Sequence, residues 1–307
     1  MPSRIERIDL DALRKLYALA APFYEADIVP VFSSLAADLA SWAQACIVAH
    51  AGGLLHDPFD LAAHPRLPSA ALRGLSVLDA GTGTGALARA LARAGCAVIG
   101  VDLSVHMLAA APRSRPIRYV AADLHRLPMS RGAFHLVASS FGLNGADPLP
   151  VLRSLARVLR PGGLLIFQEW AAEDDLSRIV DETLEQCLSN DVSIPSLDPA
   201  VQHLLEAPAP WQTRLQDTAD YYEALRRVGF ALVWAREAPF VTVRLPGVDA
   251  FVAYKLAWPW RRLAFDSLPP AARAACLARL RARLAPHCDP DGSLSWSPPL
   301  FRICAVR

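Results

Sequence analysis

The stretch VLDAGTGTG, Val77 to Gly85, decides the fold. An apolar, strand-like run reaches Asp79 and then passes through Gly81, Gly83 and Gly85, three glycines in five residues. Clustered glycine is entropically costly, so it marks a backbone that must turn sharply or come close to something. Working outward, GALARALARAG reads as a helix stopped at Gly95, and AVIGVD (97–102) as a second strand. VHMLAAAP gives a second helix, IRYVAAD a third strand and FHLVASS a fourth. PVLRSLARVL is a helix halted by RPGG, and LLIFQEW a fifth strand. Strand, helix and strand at this spacing predict a parallel sheet with helices on both faces.

Around this core the pattern differs. Residues 9–48 read as helices punctuated by Pro22 and Pro30, and GGLLHDPFDLAAHPRLPSAA after them as a loop. Residues 171–218 read as helical and irregular, with SNDVSIPSLDP as a loop. TADYYEALRRVGF is a helix with Thr218 as its expected N-cap and Gly229 as its stop. ALVWAREAPFVTVRL holds one or two strands, 248–285 is helical again, and GSLSWSPPLFRICAVR is a last strand. The expected organisation is an N-terminal helical cap over 1–70, a core over 71–172 and a helical insertion over 173–217. The end of the core sheet follows over 218–307, interrupted by a helical lid at 248–285.

Composition sets limits. With 307 residues, 53% of them hydrophobic, there is ample material for a buried core. A net charge of +1 supplies no basic excess for neutralising phosphates, which argues against a nucleic-acid partner. Lys15 and Lys255 are the only lysines in an arginine-rich chain. Six scattered cysteines form no C-x-x-C pair, and the histidines show no metal-ligand spacing, so no metal is expected. The charged start and the polar residues inside the N-terminal apolar run predict a cytoplasmic protein without membrane insertion.

A glycine turn between strand and helix at the carboxyl edge of a parallel sheet is a nucleotide-type site. Gly81, Gly83 and Ala86 satisfy G-x-G-x-x-G/A, and Asp102 at the end of the second strand suits a ribose diol. Asp79 separates the readings. A pyrophosphate on this loop would meet a carboxylate of like charge, whereas a ligand with an ammonium and a sulfonium would not. S-adenosylmethionine carries both and no phosphate.

VLDAGTGTG, VIGVDLSVHML, AADLHRLP, AFHLVASSFGLN and VLRPGGLLIFQEW, in that order, resemble the class I S-adenosylmethionine-dependent methyltransferases, most closely the small-molecule group that includes the quinone-biosynthesis enzymes. The resemblance covers about residues 75–170 and loosens outside them. It implies a Rossmann-like, mostly parallel seven-stranded sheet with an antiparallel last strand, lidded by the N-terminal helices and helical insertions. Gly81, Thr82 and Gly83 would pass close to the methionine portion, with Asp79 facing its ammonium. Asp102 would hold the ribose hydroxyls, with Leu103 and Met107 on the adenine, and Asp123 and the Leu124 N–H at its edge. Ser139, Ser140 and Phe141 would line the sulfonium end, and Tyr17 or Tyr24 would close the site. His135 stands where the family often has aspartate, a change expected to be structural.

The reaction so implied moves the methyl group of S-adenosylmethionine, leaving S-adenosylhomocysteine, by in-line displacement. It requires alignment and exclusion of water above all, and a general base only for a nucleophile that must lose a proton. Glu169 and His203 are the candidate bases. Trp170, which ends the last motif, and Trp211, Tyr221, Tyr222, Phe251, Tyr254, Trp258 and Trp260, outside the motifs, predict an apolar pocket for a lipophilic or aromatic small-molecule acceptor. A homodimer is left open. The rival reading keeps the cofactor but catalyses a non-methylating reaction such as a cyclisation, because fold does not fix function. A nicotinamide oxidoreductase is disfavoured by Asp79.

Overall fold

The computed structural model describes residues 9–53, 55–60, 72–113, 116–188, 199–206 and 210–307. Asp9 opens α1 (Leu10–Phe23) by accepting the N–H groups of Asp11 and Ala12. Pro22 sits in its last turn, and a single π-helical turn (Tyr24–Ile28) follows before α2 (Val29–Ala51). The run Leu10–Ala51 is long and apolar enough to cross a membrane by length and composition. Within the fold, α2 is a core helix that buries Leu35, Leu39, Ala43 and Cys46 along one face.

The alternating segment folds as β1 (Ser76–Ala80), α3 (Ala86–Arg93), β2 (Ala97–Asp102), α4 (Val105–Ala110), β3 (Arg118–Ala121), β4 (Phe134–Ser140), α5 (Pro148–Val158) and β5 (Leu159–Trp170). The remainder is α6 (Asp175–Cys187), α7 (Pro199–Glu206), α8 (Pro210–Arg214), α9 (Thr218–Arg227), β6 (Leu232–Ala238), β7 (Val243–Leu245), α10 (Val248–Leu256), α11 (Pro259–Ser267), α12 (Pro270–Leu284), β8 (Leu294–Trp296) and β9 (Leu300–Val306). Seven strands form one sheet in the order β3-β2-β1-β4-β5-β9-β6. The first five are parallel, and β9 runs antiparallel to both β5 and β6, as the resemblance implied.

Alternate residues of β1 face opposite layers. Val77 joins α2 and α3 through Leu39, Ala43, Leu87 and Leu91. Leu78 joins α5 and α9 through Leu152, Leu155, Tyr221 and Leu225. A third apolar cluster unites the π turn and α2 with α6, α10, α12 and β8, around Phe32, Phe251, Tyr254, Leu280 and Trp296. This third layer stands over the carboxyl ends of the strands. There the chain leaves β1 toward β2 on one side while β4 lies on the other, so a crevice opens at the switch point.

Two local expectations are corrected. Asp217, not Thr218, caps α9: its carboxylate accepts the Ala219 and Asp220 N–H groups, and Asp220 reciprocates to the Asp217 N–H. The segment expected as one last strand is two, β8 and β9, because Pro298 and Pro299 have no N–H to give to a ladder. β8 pairs antiparallel with β7 in a small second sheet. His135 takes a structural place, as expected: its Nδ1 accepts the Ser76 N–H at 3.2 Å, joining the starts of β1 and β4.

One polar cluster crosses the apolar layers. Buried Arg302 on β9 donates to Asp38 of α2, and to Gln168 Oε1 at 3.3 and 3.2 Å. Gln168 donates onward to Ser140 Oγ at 3.0 Å, at the rim of the crevice. All six cysteines are free thiols.

Candidate functional site

The glycine loop turns beneath the crevice because no side chain would fit. A Cβ on Gly81 would lie 2.4 Å from the Gly142 Cα, and one on Gly142 would lie 2.4 Å from the Ala80 carbonyl oxygen. The loops after β1 and β4 therefore cross backbone to backbone, and Gly81 and Gly83 both hold positive φ. Asp102, at the tip of β2, pins this turn. Its Oδ2 accepts the Gly83 N–H and its Oδ1 the Ser104 N–H, each at 2.8 Å. A carboxylate has about four acceptor positions, so each oxygen keeps capacity for a further donor. Burial raises the Asp102 pKa, opposed by hydrogen bonds from the Ser104, Gly83 and Leu103 N–H groups.

These groups face a cavity beside the glycine loop. Of the residues expected at a cofactor, Tyr17, Tyr24, Gly81, Gly83, Asp102, Leu103, Met107, Asp123, Leu124, Ser140 and Phe141 all line it. Sequence reasoning missed Leu10, Leu13 and Arg14 of α1, His125 and Asn144, which also line it. The i, i+3, i+4 spacing of Leu10, Leu13 and Arg14 was visible, but it shows only a helix face and not what that face covers. His125 could have been suspected from its place next to Asp123. Its Nδ1 lies 2.6 Å from Asp123 Oδ1, which also accepts the His125 N–H at 2.9 Å, and its Nε2 accepts the Asp147 N–H. The imidazole thus orients the carboxylate.

Five expected residues stand elsewhere. Asp79 and Thr82 line a smaller adjoining cleft of about 320 Å³, which shares Tyr24, Phe32, Gly81 and Ser140 with the main cavity. Thr82 Oγ1 donates to Asp79 Oδ2 at 2.6 Å. Ser139 is fully buried and donates to the Ala80 carbonyl at 2.6 Å, so it braces the sheet and does not touch the cavity. Glu169 is also off the cavity. Its Oε1 accepts the Leu143 N–H at 3.0 Å, and its Oε2 is buried with no partner. Burial pushes this carboxyl up to about 8, so at neutral pH it is mostly protonated and unsuited as a base. It holds the loop after β4. His203 is exposed on α7 and lines no part of the cavity. Neither candidate base is brought to the site.

The aromatic expectation divides. Trp258 lines the cavity. Trp170 stacks on Phe141 at 4.0 Å and 15°, and Phe141 lies 5.1 Å from Phe32. Phe141 has φ +60°, the one non-glycine residue with positive φ among the described residues, a strained backbone of the kind held at functional sites. Trp211, Tyr221 and Phe251 are ordinary core, and Tyr222 and Trp260 are exposed.

Asp79 carries a testable consequence. Burial pushes its carboxyl up to about 7; hydrogen bonds from Thr82 and the Ala88 N–H oppose this, and the charge of Asp102 adds to it. The folded chain holds this proton more tightly than the unfolded chain. The resulting stability is complete at acid pH, below the ordinary aspartate range, and is lost as pH rises through about 7. Each unit of pKa is worth about 1.4 kcal/mol. The ligand-free protein should therefore melt at a lower temperature at about pH 8 than at about pH 5, and Asp79→Asn should flatten that fall, leaving the part due to Glu169. Identical pH dependence in the two proteins, followed by scanning calorimetry, would remove Asp79 from the account.

Known proteins resemble this chain. A family model described as a methyltransferase domain matches residues 78–167. A demethylmenaquinone methyltransferase of Beutenbergia cavernae is 36% identical over 165 residues, covering 51% of this chain and 68% of that one. A malonyl-[acyl-carrier protein] O-methyltransferase of Enterobacter lignolyticus is 42% identical over 110 residues, 35% of this chain and 43% of that one. A solved structure of an S-adenosylmethionine dependent methyltransferase from Mesorhizobium loti aligns at 22% identity and a TM-score of 0.42, over 78% of this chain and 94% of that one. The chain belongs to the class I S-adenosylmethionine-dependent methyltransferases and is related to their quinone-biosynthesis members.

Proposed function

We propose that this protein transfers the methyl group of S-adenosylmethionine to a lipophilic or aromatic small molecule at an O, C or N atom. One observation carries the reading: a single cavity at the switch point has an acidic, loop-pinning Asp102 among its walls and the aromatic side chains of Phe141 and Trp258 as well. The residues present fit the adenosyl cofactor. Asp102 keeps acceptor capacity for a diol, and the crossing at Gly81 and Gly142 leaves backbone where side chains would stand. Two carboxylates line the cavity, Asp102 and Asp123, with Arg14 the one arginine among the described residues of the wall. That charge pattern favours an amino-acid nucleoside with its own ammonium over a diphosphate.

When bound, the sulfonium supplies an electrophilic methyl group and a neutral leaving group. The work left to the protein is positioning. Asp102 would fix the ribose, Leu103 and Met107 would flank the adenine, and Asp123 and the Leu124 N–H would meet its edge. Tyr17 and Tyr24 would cover the methionine portion and exclude water. Asp79, one layer behind Gly81, would complement the ammonium at a distance. With Glu169 and His203 off the cavity, neither candidate base meets the acceptor, and the reading rests on alignment, which suits a nucleophile that is already ionised or readily so.

The experiment is incubation with methyl-labelled S-adenosylmethionine and a panel of naphthols, quinols, polar amines and proteins. The expected result is label on the apolar aromatic acceptors with S-adenosylhomocysteine formed in equal amount. Label on polar or macromolecular acceptors alone would contradict it. An acceptor altered without S-adenosylhomocysteine would favour the non-methylating reading.

A further inference from the structure

Among the described residues, Asn144 and Trp258 alone line both the cavity beside the glycine loop and a second one between the end of β5, α6, α10, α11 and β8. The stacked Phe141–Trp170 pair belongs to both walls, Phe141 to the first and Trp170 to the second. Asn144 therefore stands where the cofactor space and an aromatic space join.

The loop that carries Asn144 is fixed at several points. The Phe141 N–H is given to the Gln168 carbonyl and the Leu143 N–H to Glu169 Oε1, each at 3.0 Å. The Ala146 N–H closes the turn on the Leu143 carbonyl at 3.0 Å. Gly142 is set backbone to backbone against Gly81, and a Cβ on Gly145 would lie 3.3 Å from Leu13 Cδ1. A side chain on such a loop is placed before a ligand arrives, so binding costs little further ordering.

Among the described residues nothing hydrogen-bonds to the Asn144 amide. Nor are its polar atoms sealed: the buried side-chain atoms left without a partner are on Glu25, Thr84, Tyr119, Glu169 and Trp296. The polar groups around it are taken up. Trp258 gives its indole N–H to Tyr254. Arg261 is held by Asp181 at 2.6 and 2.6 Å, Lys255 donates to Ser177, and Glu173 hydrogen-bonds with Asp181. Ser140 accepts from Gln168 at 3.0 Å, and Gln212 is exposed and lines the second cavity alone. Asn144 is left as the uncharged, unpartnered hydrogen-bonding side chain at the junction.

We propose that Asn144 orients the methyl acceptor, its amide binding a neutral hydroxyl or carbonyl oxygen on a flat aromatic ring seated beside Phe141 and Trp258. The proposal rests on the methyltransferase reading for calling the ligand an acceptor. An amide has both a donor and an acceptor, so it meets a hydroxyl in either sense and a carbonyl through its N–H groups. The apolar wall holds any flat ring of the right size, but it does not fix which edge faces the cofactor. One hydrogen bond from a fixed loop does, and a hydrocarbon of the same shape leaves it unmade. Asn144 thus selects oxygen-bearing aromatic acceptors over plain hydrocarbons.

The test is equilibrium dialysis of the full chain, with and without saturating S-adenosylhomocysteine, against 2-naphthol and 2-methylnaphthalene, which differ by a hydroxyl for a methyl. Asn144→Leu, close in volume and unable to hydrogen-bond, should weaken 2-naphthol about fivefold and leave 2-methylnaphthalene within about twofold. Asn144→Ala should show the same selective loss and serves if the leucine variant fails to fold. No 2-naphthol binding to the wild type, an unchanged 2-naphthol affinity in a folded variant, or an equal loss for both compounds overturns the proposal. So does a failure of both variants to fold, which would make Asn144 a structural residue. S-adenosylhomocysteine affinity, measured by calorimetry on the same samples, should stay within about twofold of the wild type. Its absence in the wild type would sink the cofactor reading, while dialysis without that compound still judges Asn144.

Discussion

Asp102→Ala is expected to weaken S-adenosylhomocysteine binding by about 1–3 kcal/mol, a loss of roughly fivefold to more than a hundredfold. Two effects combine. The variant removes the acceptor proposed for the ribose diol, and it frees the Gly83 and Ser104 N–H groups that the carboxylate holds at 2.8 Å. Asp102→Asn separates charge from shape. Its amide can accept from one of those two N–H groups but must turn a donor toward the other, so it should lose about as much as alanine. Calorimetric titration reads the affinity, and circular dichroism establishes that the sheet is intact. An unchanged affinity in a folded variant would take the ribose role away from Asp102.

Arg302→Met should destabilise the fold by about 3 kcal/mol, the lower end of what breaking a buried ion pair costs, because Asp38 keeps partial contact with water. Methionine keeps most of the apolar stem against Phe240 and Trp42, over which the guanidinium lies at 4.6 and 5.6 Å. The loss then falls on Asp38 and on Gln168 Oε1, each left without its buried partner. Urea unfolding measures this directly. Adding Asp38→Asn should recover part of the loss, since an uncharged amide tolerates isolation better than a carboxylate. A loss below about 1 kcal/mol would mean that the cluster is solvated in practice and contributes as little as a surface pair.

The core was legible because its signals are local. The apolar runs, the glycine turn and the acidic strand ends each fall within a few residues, and they placed β1 to β5 and the helices between them close to where they stand. Gly81 and Asp102 could be named because a parallel sheet brings the carboxyl ends of its strands to one edge, and Phe141 because the motif after the fourth strand resembles that of the family. What could not be read depends on which distant surfaces meet. Leu13 is a helix residue until the tertiary structure sets it against Gly145 in the cavity wall. Trp211 and Trp258 look alike in sequence, yet one fills the core against Tyr221 and the other walls the cavity.

Asp79 and Glu169 both stand off the main cavity. Both were expected to point outward from the end of a strand toward a ligand. Asp79 takes the Thr82 hydroxyl, and the loop after β4 folds back so that the Leu143 N–H takes Glu169. Each carboxyl is consequently buried and its pKa raised. A one-residue change in where a loop turns decides between a ligand contact and a structural brace, and such turns are set by packing and not by the residue alone.

A crystal structure of the protein grown with S-adenosylhomocysteine, with a parallel soak in NADH, tests the central claim most directly. The account predicts the adenosyl compound in the cavity between the β1 and β4 loops, its two ribose hydroxyls within about 3 Å of the Asp102 oxygens, and no dinucleotide bound. A diphosphate seated on Gly81 to Gly83, with the adenosyl compound absent, would contradict it.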